Sequence, residues 1–287
     1  MVLQPADEDW GLILRRIRSE NCIPFLGAGA SLGFGHGPGL PTAPQLAASL
    51  AQGCNYPCPN PTDLLRVAQY YEIVNDPHDL RTTIRNLILK PGAGPSIVHR
   101  TLAAMPFRII LTTNFDKLME RAFEDAGKAP QTAYYERYGD RQEPAKPTLK
   151  EPLVYKLHGT IDKLDSMVVT ENDIVEFAAC LMFGDPPLPE VIRGLFSDES
   201  LLFIGYGLKD WNVRVMLRAF REKRWARTPG TASFAVQRRP SDDGGLGQEW
   251  ERTVMFWKET EKLRCYDMDA VEFVTELKRR YDAGEGA

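Results

Sequence analysis

The run Cys22-Ile23-Pro24-Phe25-Leu26 stops abruptly on Gly27-Ala28-Gly29-Ala30-Ser31. No other stretch limits the fold as tightly. A short apolar run ending in glycine is the pattern of a buried parallel strand that turns sharply into a helix. Glycine suits the turn for two reasons: it takes positive φ, and without a Cβ it lets bare backbone approach a phosphate. The segment therefore points to a nucleotide, without saying what is done to it.

The rest of the chain supplies what such a strand needs. Further strands are predicted at Phe107–Thr112, Leu153–Leu157, Ser200–Gly205, Thr231–Gln237 and Leu263–Tyr266. Helices are predicted at Trp10–Arg18, Asp116–Ala126, Glu171–Leu181, Pro189–Phe196, Trp211–Arg224 and Asp269–Tyr281, the last with Asp269 as its N-cap. This alternation describes an α/β fold: a Rossmann-like parallel sheet with helices on both faces. Between Ala43 and Arg100 only helical stripes recur, Leu64, Val67, Ala68 and Tyr71 in one and Leu80, Ile84, Leu87 and Ile88 in the next. The expectation is one domain over 1–287, with 1–42 and 101–287 as the core and 43–100 as a small inserted helical module. Three stretches read as loops or surface connections: the glycine-rich Gly33–Pro41, the polar residues 128–150 and the residues 238–248.

Composition narrows the class. A formal net charge of −4 provides no basic field, so nucleic-acid binding is not expected; the cluster Arg221, Lys223, Arg224 and Arg227 reads as a solvated helix face. No apolar run approaches the roughly 18 residues that cross a bilayer, and no signal-peptide pattern is present. Five cysteines at 22, 54, 58, 180 and 265 form neither a disulfide framework nor a zinc set. A cytoplasmic protein with no structural metal is expected.

Polar or glycine residues follow four strands at the point where each apolar run stops: Gly27–Ser31, Thr112-Thr113-Asn114-Phe115-Asp116, His158-Gly159-Thr160 and Gly205-Tyr206-Gly207. Open parallel sheets take ligands outside these carboxyl ends. Each group also has a plain structural reading. Gly-x-Gly can be a simple tight turn, and Leu32 occupies the place of a third dinucleotide-fingerprint glycine. Asn114 or Asp116 can cap the following helix, His158 can be a satisfied imidazole, and Gly205 and Gly207 can be turn residues.

Taken in order, GAGAS, TTNFD and LHG resemble the NAD-binding signature of the sirtuin superfamily, and the likeness runs from about residue 20 to 281. It implies that the Gly27–Ser31 amides (Gly27, Ala28, Gly29) and the Ser31 hydroxyl hold a pyrophosphate. It places Asn114, preceded by Thr113, under the nicotinamide ribose, and Asp116 on the carboxamide. His158 becomes the proton acceptor and forms the catalytic pair with Asn114. Gly205, Tyr206 and Gly207 line the adenosine side.

The departures from that family matter equally. Deacylating sirtuins carry two CxxC zinc pairs and G-I-P-x-F-R; this chain has no zinc ribbon and reads Gly39-Leu40-Pro41-Thr42-Ala43-Pro44. Without a peptide channel, water becomes the acceptor. The resemblance is strongest to the zinc-less sirtuin-like NAD hydrolase domains of bacterial anti-phage defence. It implies an NAD+ glycohydrolase that releases nicotinamide and ADP-ribose, with NAD+ as substrate and no metal. Because NAD depletion is toxic, control by a homo-oligomer or by a HerA-type hexameric ATPase partner is expected. The alternatives are an NAD-dependent protein deacylase and a regulatory module that binds NAD or ADP-ribose without turnover. An ordinary Rossmann oxidoreductase lacks its fingerprint here.

Overall fold

A computed structural model describes residues 4–33, 39–89, 92–138, 143–184, 186–207, 232–239 and 246–286. Seven parallel strands form one sheet in the order β3-β4-β2-β1-β5-β6-β7. They are β1 Cys22–Leu26, β2 Ile109–Thr112, β3 Gln131–Tyr134, β4 Leu153–Lys156, β5 Ser200–Ile204, β6 Ser233–Val236 and β7 Leu263–Tyr266. β1 lies at the centre, and all five of its residues pair with β5, from Cys22↔Ser200 to Leu26↔Ile204. Pro24 brings no N–H to a ladder, and pairing with β2 starts only at Phe25.

Alternate residues of each strand enter opposite layers, as the pleat requires. Cys22, Leu26, Val154, Leu202 and Ile204 face one helical layer. Its helices are α1 Asp7–Arg18, α5 Ile97–Ala103, α6 Leu118–Asp125 and α10 Ala270–Asp282. Ile23, Phe25, Leu153, Tyr155, Leu201 and Phe203 face the other. There α7 Glu171–Phe183, α8 Glu190–Asp198 and α9 Leu246–Glu261 pack. The parallel sheet with helices on both faces is therefore the fold that the sequence pattern predicts.

α2 Ala43–Gly53, α3 Leu64–Val74 and α4 Pro77–Ile88 gather a third apolar cluster with Leu40, Leu118, Ile161, Met167 and Val169. Their starts are fixed locally: Thr42, Asp63 and Asp76 each accept from the first-turn amides that have no helical partner. α5 packs instead with α6 and α10 in the sheet's own layer, so residues 97–100 leave the α2–α4 cluster.

Two expectations change. Residues 128–150 are not wholly a surface connection: β3 pairs with β4 from Gln131↔Leu153 to Tyr134↔Lys156, and Tyr135 and Arg137 beyond it are buried. The connection expected through residue 248 gives way to α9 at Leu246, which buries Trp250, Val254 and Trp257. The helix expected at Trp211–Arg224, its basic cluster, and residues 34–38 of the glycine-rich loop lie outside the described residues. Among the described residues no helix is long and apolar enough to cross a membrane.

Candidate functional site

The chain leaves β1 toward β2 on one side and returns through β5 on the other. The crevice at that switch point is a cavity of about 640 Å³, a size ordinary for a small-molecule site. The ends of four strands supply its polar wall: Ala28 and Ser31 after β1, Thr113, Asn114 and Asp116 after β2, His158 after β4, and Gly205, Tyr206 and Gly207 after β5. Across from them lie Leu46 of α2, Leu64 and Leu65 of α3, and Ile174 of α7, which supply apolar surface, with Thr62, Asp63 and Glu171 adding polar groups beside them.

The β1 turn is built differently from the phosphate cradle expected of it. The Gly27 and Gly29 amides donate to the carbonyls of Ile204 and Gly205, at 3.0 and 2.9 Å, and the Ala30 amide donates to Gly27. They are therefore engaged within the protein, and of this turn Ala28 and Ser31 line the cavity. Neither Gly27 nor Gly29 has positive φ; Gly205 does, at +73°. A Cβ on Gly27 would lie 2.6 Å from the Gly205 oxygen, and one on Gly205 would lie 2.3 Å from the Ala30 nitrogen. The glycines exist so that two turns can touch.

The residues after β2 lock onto this contact. The Asn114 carboxamide donates to the Gly27 carbonyl at 3.0 Å and to Ser31 Oγ at 3.3 Å. Ser31 Oγ donates to Asp116 Oδ2 at 3.0 Å. The other Asp116 oxygen accepts from the Leu118 amide at 2.9 Å, so Asp116 both holds the first amide of α6 and faces the cavity. Thr112 Oγ1 accepts from the Asn114 amide at 2.9 Å and donates to the Leu26 carbonyl. The Thr113 hydroxyl meets the Tyr206 hydroxyl, while the Tyr206 ring packs against Phe25.

His158 stands edge-on to Phe177 of α7, with ring centroids 4.9 Å apart. Its Nε2 is shielded from solvent and has no partner among the described residues. Burial first, and then the Arg137 guanidinium, push the imidazole down to about 3, so it is neutral at physiological pH. Gly159 next to it has φ +81°, and a Cβ there would come within 2.2 Å of the Ser166 carbonyl oxygen. That close approach brings the segment up to Val168, whose amide donates to the His158 carbonyl at 3.0 Å.

One feature of the wall carries no local sequence signal. Asp173 of α7 accepts from Arg81 of α4 on both oxygens at 3.0 Å and from Arg137 at 3.2 Å. It also accepts from the Val169 and Thr170 amides at 2.9 and 3.1 Å, and Arg137 donates to the Met167 carbonyl. All three side chains are buried. The cluster ties α4 to the cavity wall at Val168 and Val169. No group of three or more His, Cys, Asp or Glu side chains able to hold a metal ion occurs among the described residues.

Fold and crevice together define a doubly wound α/β protein whose candidate ligand site lies at its switch point. The model of the SIR2-like domain family matches residues 108–263, more than half of the chain, and the chain belongs to that family. Among curated relatives, the NAD(+) hydrolase ThsA of Enterococcus faecium is 29% identical over 211 residues, 71% of this chain and 41% of that protein. Defense-associated sirtuin 2 of Bacillus subtilis is 26% identical over 128 residues, 44% of this chain and 12% of that protein. A solved structure described as "Structural Basis for the Mechanism and Regulation of Sir2 Enzymes" covers 98% of this chain and 99% of its own, at a TM-score of 0.45 and 13% identity. The chain thus spans about two fifths of the NAD(+) hydrolase relative's length.

Proposed function

We propose that this domain hydrolyses NAD+ at the nicotinamide N-glycosidic bond. The observation that carries the reading is the convergence of Ser31, Asn114, Asp116 and His158 on one cavity. Support also comes from the family and from a relative named NAD(+) hydrolase. Water supplies the oxygen: NAD+ and H2O give nicotinamide, ADP-ribose and one proton. The leaving group departs with the bonding pair and becomes neutral, so the ribose develops oxocarbenium character and needs only a weak, well-placed nucleophile.

Each residue has a distinct part. Ala28, Ser31 and Gly205–Gly207 take the pyrophosphate and the adenosine side, with Gly27 and Gly29 acting by packing. Asp116 receives the carboxamide, and Thr113 fixes Tyr206. With its N–H groups held by Gly27 and Ser31, Asn114 presents its carbonyl oxygen to orient the water. His158 is held neutral and accepts the proton. At about 3 it is a weak base, and the two negative charges of a bound pyrophosphate raise it toward its working range.

An NAD-depleting effector in anti-phage defence fits this activity and the name of the second relative. Control through a homo-oligomer or a HerA-type ATPase belongs to the same reading. The test is nicotinamide release from NAD+ by the purified protein, alone and with candidate partners, beside an acetyl-peptide control. Peptide-independent release should fall roughly 10²–10⁴-fold in His158→Ala and in Asn114→Ala. Tight NAD+ binding with no turnover under any condition would replace the hydrolase with a sensor, and release that requires acetyl-peptide would replace it with a deacylase.

A further inference from the structure

Behind the cavity wall lies a charged pair that the reaction above does not use. Lys156, the last residue of β4, has a side chain only 1% exposed, and its Nζ lies 3.0 Å from Glu120 Oε1 on α6, itself 4% exposed. Neither residue lines the cavity. Burial holds the Glu120 carboxyl above its usual range, with Lys156 opposing the shift.

Stability does not explain the pair. Two buried ions lose hydration that their attraction barely returns, and a well-packed apolar pair of similar size often holds a fold as firmly. An apolar pair lacks a donor, however, and Lys156 Nζ also donates to the main-chain carbonyl of Asp116. That carbonyl belongs to the turn that carries Asn114 and Asp116 into the cavity. The turn is otherwise held within its own segment by Thr112 Oγ1 on the Asn114 amide and by the Asp116 carboxylate on the Leu118 amide, to the β1 turn by Asn114 on the Gly27 carbonyl and Ser31, and to the segment after His158 by the Ile161 amide on the Phe115 carbonyl at 3.2 Å. Among these, the Ile161–Phe115 bond reaches the chain that bears His158, from three residues beyond it. Lys156 ties the turn from the other side, two residues before His158.

We infer that Lys156 is a positioning residue. Its bond to the Asp116 carbonyl sets the Asn114–Asp116 turn in register with His158, and Glu120 is present to neutralise it. The role rests on the NAD+ reading for its catalytic meaning; the placement of the turn does not.

The double variant Lys156→Met with Glu120→Leu separates positioning from folding, because it removes both charges together. The expected result is an unfolding midpoint in urea close to that of the parent, with amide exchange at Asn114 and Leu118 at least about tenfold faster. Nicotinamide release should lose about tenfold or more in kcat/KM. Lys156→Arg should keep most of both properties, since a guanidinium can still reach a carbonyl and a carboxylate. Lys156→Met alone leaves Glu120 without its partner and should unfold earlier than the double variant. A double variant with parental exchange at Asn114 and Leu118 overturns the inference, as does Lys156→Arg behaving like the double variant. Should the parent release no nicotinamide, the NAD+ reading fails and amide exchange still decides the role of Lys156.

Discussion

Asp173→Asn is the most demanding test of how the cavity wall is held. The substitution keeps the side chain's shape and removes its charge, in a place where Asp173 is the shared anion of two buried arginines. An Asn amide also turns one accepting oxygen into a donor facing guanidinium N–H groups. Removing one partner of a buried ion pair costs about 3–5 kcal/mol. Here the lower half of that range applies. Arg81 keeps Glu72 at 3.0 Å, and Arg137 keeps the Met167 carbonyl and Glu176 at 3.5 Å. Loss of acceptance from Val169 and Thr170 returns part of the difference, giving about 4 kcal/mol in total. With a urea slope of roughly 3 kcal/mol per molar, the unfolding midpoint should fall by about 1 M. Glu176→Gln is the control, because Glu176 is 53% exposed and its loss should cost under about 0.5 kcal/mol. A midpoint for Asp173→Asn within about 0.3 M of the parent would refute the argument, since the arginines would then be satisfied without it.

Gly205→Ala should cost about 1–2 kcal/mol for a side chain at φ +73°. A further 1–3 kcal/mol follows from the backbone contact with Ala30, read as a fall in melting temperature. An unchanged melting temperature would show that the β1 and β5 turns can separate freely. Burial holds His99 down to about 4, so the unfolded chain takes up a proton first as pH falls. The His99 contribution is therefore complete above pH 6.5 and should be lost between 6.5 and about 4, by about 3 kcal/mol, with His158, held down to about 3, adding a comparable loss over the same range. His99→Asn should flatten that decline in urea titrations run at several pH values; an equal slope in both proteins would contradict it. Gly159→Ala should accelerate exchange at the Val168 amide, since its Cβ would collide with the Ser166 carbonyl, and parental exchange rates would argue against that contact.

Local apolar patterning makes most of the sheet legible. Strands buried on both faces read as continuous apolar runs, and the six predicted strands correspond to β1, β2, β4, β5, β6 and β7. β3 escapes because it is an edge strand in which only Ala133 is buried, and Gln131-Thr132-Ala133-Tyr134 carries no apolar run. α9 did have a signal: Trp250, Val254 and Trp257 recur at helical spacing, masked by the glycines just before them. The strand-end residues were legible because each follows an apolar run at once. The Asp173 cluster was not, since its members are 36 and 92 residues apart and each looks locally like a surface charge. Gly27 and Gly29 illustrate a subtler limit. Their need for small size is visible in the sequence; the surface they make room for, Gly205, is visible only in the fold.

The central place of β1 also has a consequence for the order of assembly. β1 is complete by residue 26, yet its two neighbours begin at residues 109 and 200. A chain emerging from the ribosome must hold this apolar segment unpaired on both edges until β2 arrives, and on one edge until almost three quarters of the sequence has been made. Parallel pairing across such separations is slow, because the closing loop entropy comes due before any contact forms. The glycine turn that opens the sequence pattern therefore waits for a partner, Gly205, made almost 180 residues after it. A ribosome stalled before residue 204 would carry a chain that cannot form the site and exposes a sticky central strand.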